Sequence, residues 1–290
     1  MAAPEPIRIR KAVIPAAGFG TRLLPATKSQ PKEMLPVGRK PVIQYVVEEI
    51  AAADIAQLLI VTSQQKRAIE DHFDLNGSSA HGLDEVAHCQ MHYTRQSVPK
   101  GLADAIAHAE PFVGGEPFVV SLGDSLIRSM NPGGVLPRLI DTHVREGAAA
   151  TILFETVAPE DVIRYGIAKP AGDPGQEFAV ADLIEKPSVE DAPSTLAVAG
   201  RYVFAPTVFD YIRRTQPGRG GEIQITDTMR LMLQDGLPVW GVRMGEGERR
   251  LDIGNYRSYF RAFLEMALID PDFGEEFGEF ARARLDQDAE

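Results

Sequence analysis

The sequence predicts an α/β protein, a mixed and mostly parallel sheet flanked by helices. Three observations predict it: short apolar runs of strand length recur along the first half, helical segments separate them, and a glycine loop follows the first run directly. Parallel neighbours need crossover connections, and the intervening helices supply them.

Taken in order, residues 11–17, KAVIPAA, read as a short buried strand running into the glycine loop. Pro41 is expected at the first position of a helix, PVIQYVVEEIAAA, whose apolar residues fall at helical spacing. QLLIVTS (57–63) is a second buried strand and QKRAIEDHF the helix after it. HCQMHYTR (88–95) alternates like a strand, GLADAIAHAE (101–110) is helical, and PFVVSLGDS (117–125) is a strand ending in Gly-Asp. A helix around 135–145 leads to the strand AATILFETV (149–157). The second half is less regular: GIAKP, EFAVADLIEK and AGRYVFAP are strand-like, with Pro and Gly between them, and predict a lobe inserted over the edge of the sheet. From Asn255 the chain returns to helix, NYRSYFRAFLEMAL. Without a repeat or a low-complexity linker, a single domain over 1–290 is expected, with parts at 11–148, 149–254 and 255–290.

The charge balance narrows the function. A net charge of -11 opposes broad nucleic-acid binding, which rests on neutralising many phosphates. Within that acidic total, Arg8, Arg10, Lys11, Arg22, Lys28, Lys32, Arg39 and Lys40 face only Glu5 and Glu33 in the first forty residues. Such a positive island suits a small, highly charged anion. Residues 265–290 are acidic and are expected to form a solvated helical tail. No apolar run reaches membrane-spanning length, so no membrane partner is expected. MAAPEPIRIRK lacks the apolar stretch of a signal peptide. Cys89 is the only cysteine, which fits a reducing cytoplasm.

The loop Ala16-Ala17-Gly18-Phe19-Gly20-Thr21-Arg22-Leu23 leaves a strand with two glycines one residue apart, so backbone N–H groups can approach a phosphate. A dinucleotide fingerprint needs a third glycine where Leu23 stands, and Leu24-Pro25 discourages a continuing helix. What remains is a backbone cradle beside Arg22, Lys28 and Lys32, a grouping suited to triphosphate chemistry and equally compatible with a solvated basic loop. His88 and His92, four apart in a strand, lie roughly 13 Å from each other and cannot share an ion.

AAGFGTRLLPATKSQPKEMLPVGRKPVIQYVVEE closely resembles the signature of the bacterial glucose-1-phosphate uridylyltransferase family, within the sugar-phosphate nucleotidyltransferases, and the resemblance runs from about Lys11 to Leu268. It implies a Rossmann-like, glycosyltransferase-A-like sheet of about seven strands, with a nucleotide-binding first half and a sugar-binding second half. Carried over, Ala17 and Gly18 touch the nucleoside within the loop that includes Gly20 and Thr21, Arg22 and Lys32 hold the triphosphate, and Glu33 lies near the base. TRQSVPKGLADAI resembles the family's RQxxxxGLGHA, which puts Gln96 and Gly101 at the base, although Ala103-Asp104 replaces the family's Gly-His. As a bare residue Gln96 reads as a surface loop glutamine by roughly four to one, because glutamine is mostly exposed, and the resemblance reverses that balance.

SLGDS resembles the family's LPDD or LGDD, which makes Asp124 a magnesium ligand, with Ser125 in place of the second acid. Asp252 in RRLDIGN matches the DxGN turn that supplies a second metal ligand, and it also suits the cap of the following helix. IEKP with DAPSTLAVAGRYVF looks like the family's VEKPxxxxAPSxLAxxGRYV. By resemblance Gly166 and Glu185 contact glucose and Lys186 its phosphate, while Glu222 and Asp227 in GEIQITDTM order a loop. The implied reaction joins UTP and glucose 1-phosphate into UDP-glucose and pyrophosphate, with Mg2+, in a homodimer or homotetramer. Use of dTTP, or a sensor that binds nucleotide sugar without turnover, are the alternatives.

Overall fold

The computed structural model describes residues 8–74, 82–131 and 133–287. MAAPEPI, the first part of the segment read as lacking a signal peptide, and the last three residues of the acidic tail lie outside that range. In chain order the strands and helices are β1 (Lys11–Pro15), β2 (Pro36–Val37), β3 (Lys40–Pro41), α1 (Val42–Ala52), β4 (Gln57–Thr62), α2 (Arg67–Phe73), β5 (Gln90–Arg95), α3 (Leu102–Ala107), α4 (Glu110–Val113), β6 (Phe118–Ser121), β7 (Ser125–Arg128) and α5 (Leu136–Arg145). They continue with β8 (Ala150–Thr156), β9 (Gly166–Pro170), β10 (Glu177–Glu185), β11 (Leu196–Phe204), α6 (Val208–Arg214), α7 (Ile225–Gln234), β12 (Val239–Arg243), β13 (Arg249–Asp252), α8 (Tyr256–Leu268) and α9 (Gly274–Gln287).

Among the described residues the main sheet has nine strands, in the order β5-β4-β1-β6-β11-β8-β12-β10-β9. It is mixed. The first-half strands β5, β4, β1 and β6 are mutually parallel, as are β8 and β12, while β11, β10 and β9 run antiparallel to their neighbours. The apolar runs of the first half have no polar alternation because both faces are covered. Val13, Leu59, Val61 and Val120 face the layer of α3, α6 and α7, whereas Ala12, Ile14, Leu58 and Ile60 face that of α1 and α5.

Three expectations change. The second-half strands do not cover the sheet's edge but extend the sheet itself, with β11 in its middle and the β9–β10 hairpin at its rim. Pro41 precedes the helix as its N-cap, in an extended conformation, and α1 begins at Val42. The acidic tail is not merely solvated: Gly274 lies against the Leu268 backbone, close enough that a Cβ there would sit 2.6 Å from its carbonyl oxygen. Arg39 also ties the tail down through Asp270 and Asp272, at 2.5 and 2.7 Å.

Two features place the loop after β6. Arg201, fully buried on β11, donates to Glu49 on α1 at 2.7 and 3.0 Å and to the Ser125 carbonyl at 2.9 Å. The short β7 then pairs with β13, setting Asp252 opposite Ser125. Asp124, one residue before β7, thereby comes beside Asp252, 128 positions away in sequence, and its carbonyl accepts from the Ile253 N–H at 3.3 Å.

Candidate active site

Parallel strands deliver their following loops to one edge, where α/β proteins bind ligands. Here β1, β4 and β5 end level: the Ala16 N–H donates to the Val61 carbonyl and the Gln96 N–H to the Thr62 carbonyl, each at 2.9 Å. The glycine loop and Gln96 therefore leave the same edge, two strand spacings apart.

Beyond Ala17, which is buried, the loop tightens into 3-10 turns instead of a helix, as Leu23 and Leu24-Pro25 imply. Gly20 has φ +65 and its carbonyl accepts from the Thr27 hydroxyl at 2.8 Å; a Cβ there would come within 3.3 Å of both Thr27 and Lys32. Lys32 folds back under the loop, its Nζ 3.7 Å from where a Gly18 Cβ would be. Gly18, Thr21, Arg22 and Lys28 are exposed.

Lys32 Nζ donates to Asp124 Oδ2 at 2.5 Å, with the two side chains 15% and 22% exposed. Burial opposes the lysine's charge, but the negative field of Asp124, Glu33 and Asp252 outweighs it and raises the ammonium's pKa. Burial likewise opposes charge on Asp124, and Lys32 more than compensates, holding the carboxyl below its usual range. The expected triphosphate clamp and the expected metal ligand are thus partners. Asp124 stands not at the end of β6 but three residues past it, in the turn to β7.

Asp252 Oδ2 accepts from the Gly254 N–H at 3.1 Å and the Ser258 hydroxyl at 3.2 Å. It buttresses the start of α8 without capping it; the cap is Asn255, which accepts from the Ser258 N–H in a reciprocal capping box. Arg22 Nη2 lies 3.4 Å from where a Gly254 Cβ would be, and Asp252 lies 3.0 Å from the same point, so the absent side chain leaves room for both groups. No cluster of three or more His, Cys, Asp or Glu side chains suited to a metal occurs among the described residues. Magnesium does not require one, because it binds one or two carboxylates and completes its shell with phosphates and water. Asp124 and Asp252 fit that donor set.

Glu33 does not open onto the cleft. It is 1% exposed and accepts from Lys66 Nζ, itself 4% exposed, at 2.6 Å. Burial dominates both groups, raising the Glu33 carboxyl and lowering the Lys66 ammonium, against their mutual attraction. This places Glu33 beneath the site as a support for Lys32. Lys66 escaped the sequence reading because it follows β4 as one of several polar residues without periodicity; its position just past a parallel strand is the signal that identifies it. A cavity of about 290 Å³ opens beside it, lined by Phe19, Thr27, Lys28, Pro31, Ser63 and Lys66 among others.

Gln96 is buried, and its amide nitrogen donates to Asp104 Oδ2 at 2.6 Å and the Gly101 carbonyl at 3.3 Å. Gly101 has φ +114, and a Cβ there would stand 2.5 Å from the Ile223 carbonyl oxygen, so only glycine permits this approach.

On the sugar side β9 and β10 set Gly166 opposite Glu185. A Cβ on Gly166 would lie 2.7 Å from Thr226 Oγ1 and 3.3 Å from Glu185 Oε2. Lys186 Nζ forms an ion pair with Glu185 Oε1 at 2.9 Å and remains 37% exposed. Its backbone is left-handed, φ +46, and its N–H donates to the Tyr165 carbonyl at 2.9 Å. Gln224 donates to Glu222 at 2.9 Å, and Asp227 packs against Gly218, where any Cβ would be 2.6 Å from its carboxylate; both order the loop before α7. The larger cavity, about 660 Å³, lies between β8, β12, β13 and α8 and reaches Tyr165, Arg250 and Asp252, but its walls exclude Lys32, Asp124 and Lys186.

The sequence profile of the family described as Nucleotidyl transferase matches residues 11–268. The chain is 44% identical to the UTP–glucose-1-phosphate uridylyltransferase YngB of Bacillus subtilis, over 91% of this chain and 92% of that protein. It superimposes on a UDP-glucose pyrophosphorylase crystallised with UDP-glucose with a TM-score of 0.82, at 38% identity, covering 88% of this chain and 97% of the other. For the UTP-bound UGPase of Acinetobacter baumannii the TM-score is 0.84, at 36% identity, covering 94% and 99%. The glycine loop, the Lys32–Asp124 pair and the Glu185-Lys186 corner therefore stand in a chain that belongs to the nucleotidyl transferase family, among its UTP–glucose-1-phosphate uridylyltransferases.

Proposed function

We propose that this chain transfers UMP from UTP to glucose 1-phosphate, giving UDP-glucose and pyrophosphate. The observation that carries the reading is the Lys32 ammonium, held beneath Gly18 and paired with Asp124 beside Asp252. It sets one cation and two carboxylates at the loop where a triphosphate would lie.

A phosphate oxygen of glucose 1-phosphate attacks the α-phosphorus of UTP, the bond from that phosphorus to the β-bridging oxygen breaks, and pyrophosphate leaves with the electron pair. The attacker is already anionic, so no enzyme base or nucleophile is required. The protein's task is to align two anions that repel and to stabilise charge on the departing one. Arg22 and Lys32 take the leaving pyrophosphate, Lys186 the phosphate of the sugar, and Glu185 accepts from sugar hydroxyls. Asp124 and Asp252 would hold Mg2+, which when bound supplies positive charge to the phosphates. Lys32 is paired with Asp124, and a triphosphate in the loop would compete for that ammonium.

The test is pyrophosphate release from UTP, dTTP and CTP, each with glucose 1-phosphate, with and without Mg2+. UTP with the metal is expected to be the best substrate, and dTTP to follow within about 200-fold, because one methyl group rarely discriminates further. Silence with all three would overturn the assignment.

A homodimer or homotetramer is part of the proposal, supported by Phe260, Phe263, Phe273, Phe280 and Leu285, which α8, α9 and the turn between them leave exposed. No helix among the described residues is long and apolar enough to cross a membrane. The single cysteine supports a cytoplasmic, reducing setting.

A further inference from the structure

Gln96 stands one residue past β5, with β4 between it and the strand that carries the glycine loop. Two strand spacings separate them, about 10 Å, a distance that a nucleoside spans from its α-phosphate. A primary amide can present either its oxygen or its nitrogen to a base, and in an unconstrained pocket it flips to suit the ligand. Here it cannot. One N–H of Gln96 goes to Asp104 Oδ2 at 2.6 Å and the other to the Gly101 carbonyl at 3.3 Å. Both partners only accept, so turning the amide over would set Oε1 against two oxygens. That oxygen accepts from no described residue. Any base that meets Gln96 must therefore bring a donor.

From this geometry we propose that Asp104 is a positioning residue for base selection, locking the Gln96 amide so that its carbonyl oxygen reads the N3–H of uracil and rejects the N3 lone pair of cytosine. The inference rests on the uridylyl-transfer reading above and adds the device that enforces it. Asp104 does not touch the base. It acts through Gln96, from the first turn of α3, where a carboxylate is also favoured by the helix's positive end. Thymine carries the same N3–H, so the lock is blind to dTTP and acts only on CTP.

Pyrophosphate release is measured with UTP and with CTP for wild type, Asp104→Ala, Asp104→Leu and Asp104→Asn, and the ratio of the two kcat/KM values is compared. Removing the acceptor in Asp104→Ala is expected to lower the UTP-to-CTP ratio about tenfold, chiefly through a higher KM for UTP and better use of CTP. Asp104→Leu fills the same volume without an acceptor and repeats the result if the alanine variant folds poorly. Asp104→Asn keeps an oxygen for the Gln96 amide and restores most of the ratio. A purely structural role would depress both triphosphates equally. An unmoved ratio in the alanine or leucine variant overturns the proposal, as does an asparagine ratio as low as that of alanine. Wild-type silence with both triphosphates overturns the uridylyl-transfer reading as well, whereas wild-type turnover with UTP and an unmoved variant ratio removes only the role of Asp104.

Discussion

On the nucleotide side of the cleft, Lys32–Asp124 and Lys66–Glu33 are stacked one beneath the other, and the deeper pair has almost no contact with solvent. On the sugar side, Glu185–Lys186 lies at the rim of the sheet, on the β9–β10 hairpin, with the lysine more than a third exposed. The glycine loop descends from β1, flanked by the parallel and largely buried β4 and β6, whereas the sugar corner stands at the end of β10, where the chain leaves the antiparallel β9–β10 pair with Lys186 in left-handed backbone. The two sides divide the labour. Triphosphate binding draws on charges fixed before the ligand arrives, which need no reorganisation when charge develops. The sugar phosphate meets a cation on left-handed backbone, paired with Glu185 near solvent.

The largest effect tests the fixed side. Lys66→Met leaves Glu33 buried without its ammonium, and breaking such a pair costs roughly 3–5 kcal/mol. Denaturant unfolding should show that loss, and Lys66→Met with Glu33→Gln should recover part of it. A single variant as stable as wild type would mean that the lower pair does not support the site. Next in size, Lys32→Ala removes the cation beneath the glycine loop while leaving Asp124 partly solvated. Stability should fall by less than in Lys66→Met, because this pair lies nearer solvent, and kcat with UTP should fall by about 10²–10³, as when one charge-stabilising donor is removed. A change confined to KM would show that Lys32 binds the ground state only.

How much of this was legible in the sequence follows the same division. The strand runs around KAVIP and QLLIVT are readable because burial on both faces removes polar alternation, whereas Gly18, Lys32 and Asp124 stand out chiefly through the family resemblance, since a glycine loop beside cations and an aspartate after a glycine read as readily as an ordinary loop and turn. The Lys32–Asp124 and Asp252–Ser125 adjacencies are not readable, since they depend on strand pairing across 92 and 127 positions. The resemblance puts Glu33 near the base, but a motif match says nothing about which way a side chain turns within a 3-10 turn, and here Glu33 turns to Lys66. From sequence the second half reads as a cover over the edge because Pro and Gly separate GIAKP, EFAVADLIEK and AGRYVFAP; the sheet order instead makes β9 and β10 its rim and β11 its middle. Gln96 was identified, but the Asp104 that fixes it read only as a departure from the family's Gly-His.

The smallest effect tests the strained side, where function and stability should part. Lys186→Ala and Lys186→Gly both delete the ammonium, so each should lower kcat/KM for glucose 1-phosphate about ten- to a hundredfold, while the KM for UTP stays near wild type. They differ in the backbone. At φ +46 alanine keeps its Cβ against the neighbouring carbonyl, whereas glycine carries no such penalty, so the glycine variant should be more stable than the alanine one by about 1 kcal/mol. Thermal melting of the two variants beside wild type reads that difference directly. If glycine is no more stable than alanine, the left-handed turn is not a cost borne by the sugar corner, and the contrast with the fixed nucleotide side reduces to exposure. If the order holds while both variants lose the sugar phosphate equally, lysine is kept at this position for its charge against the preference of the backbone.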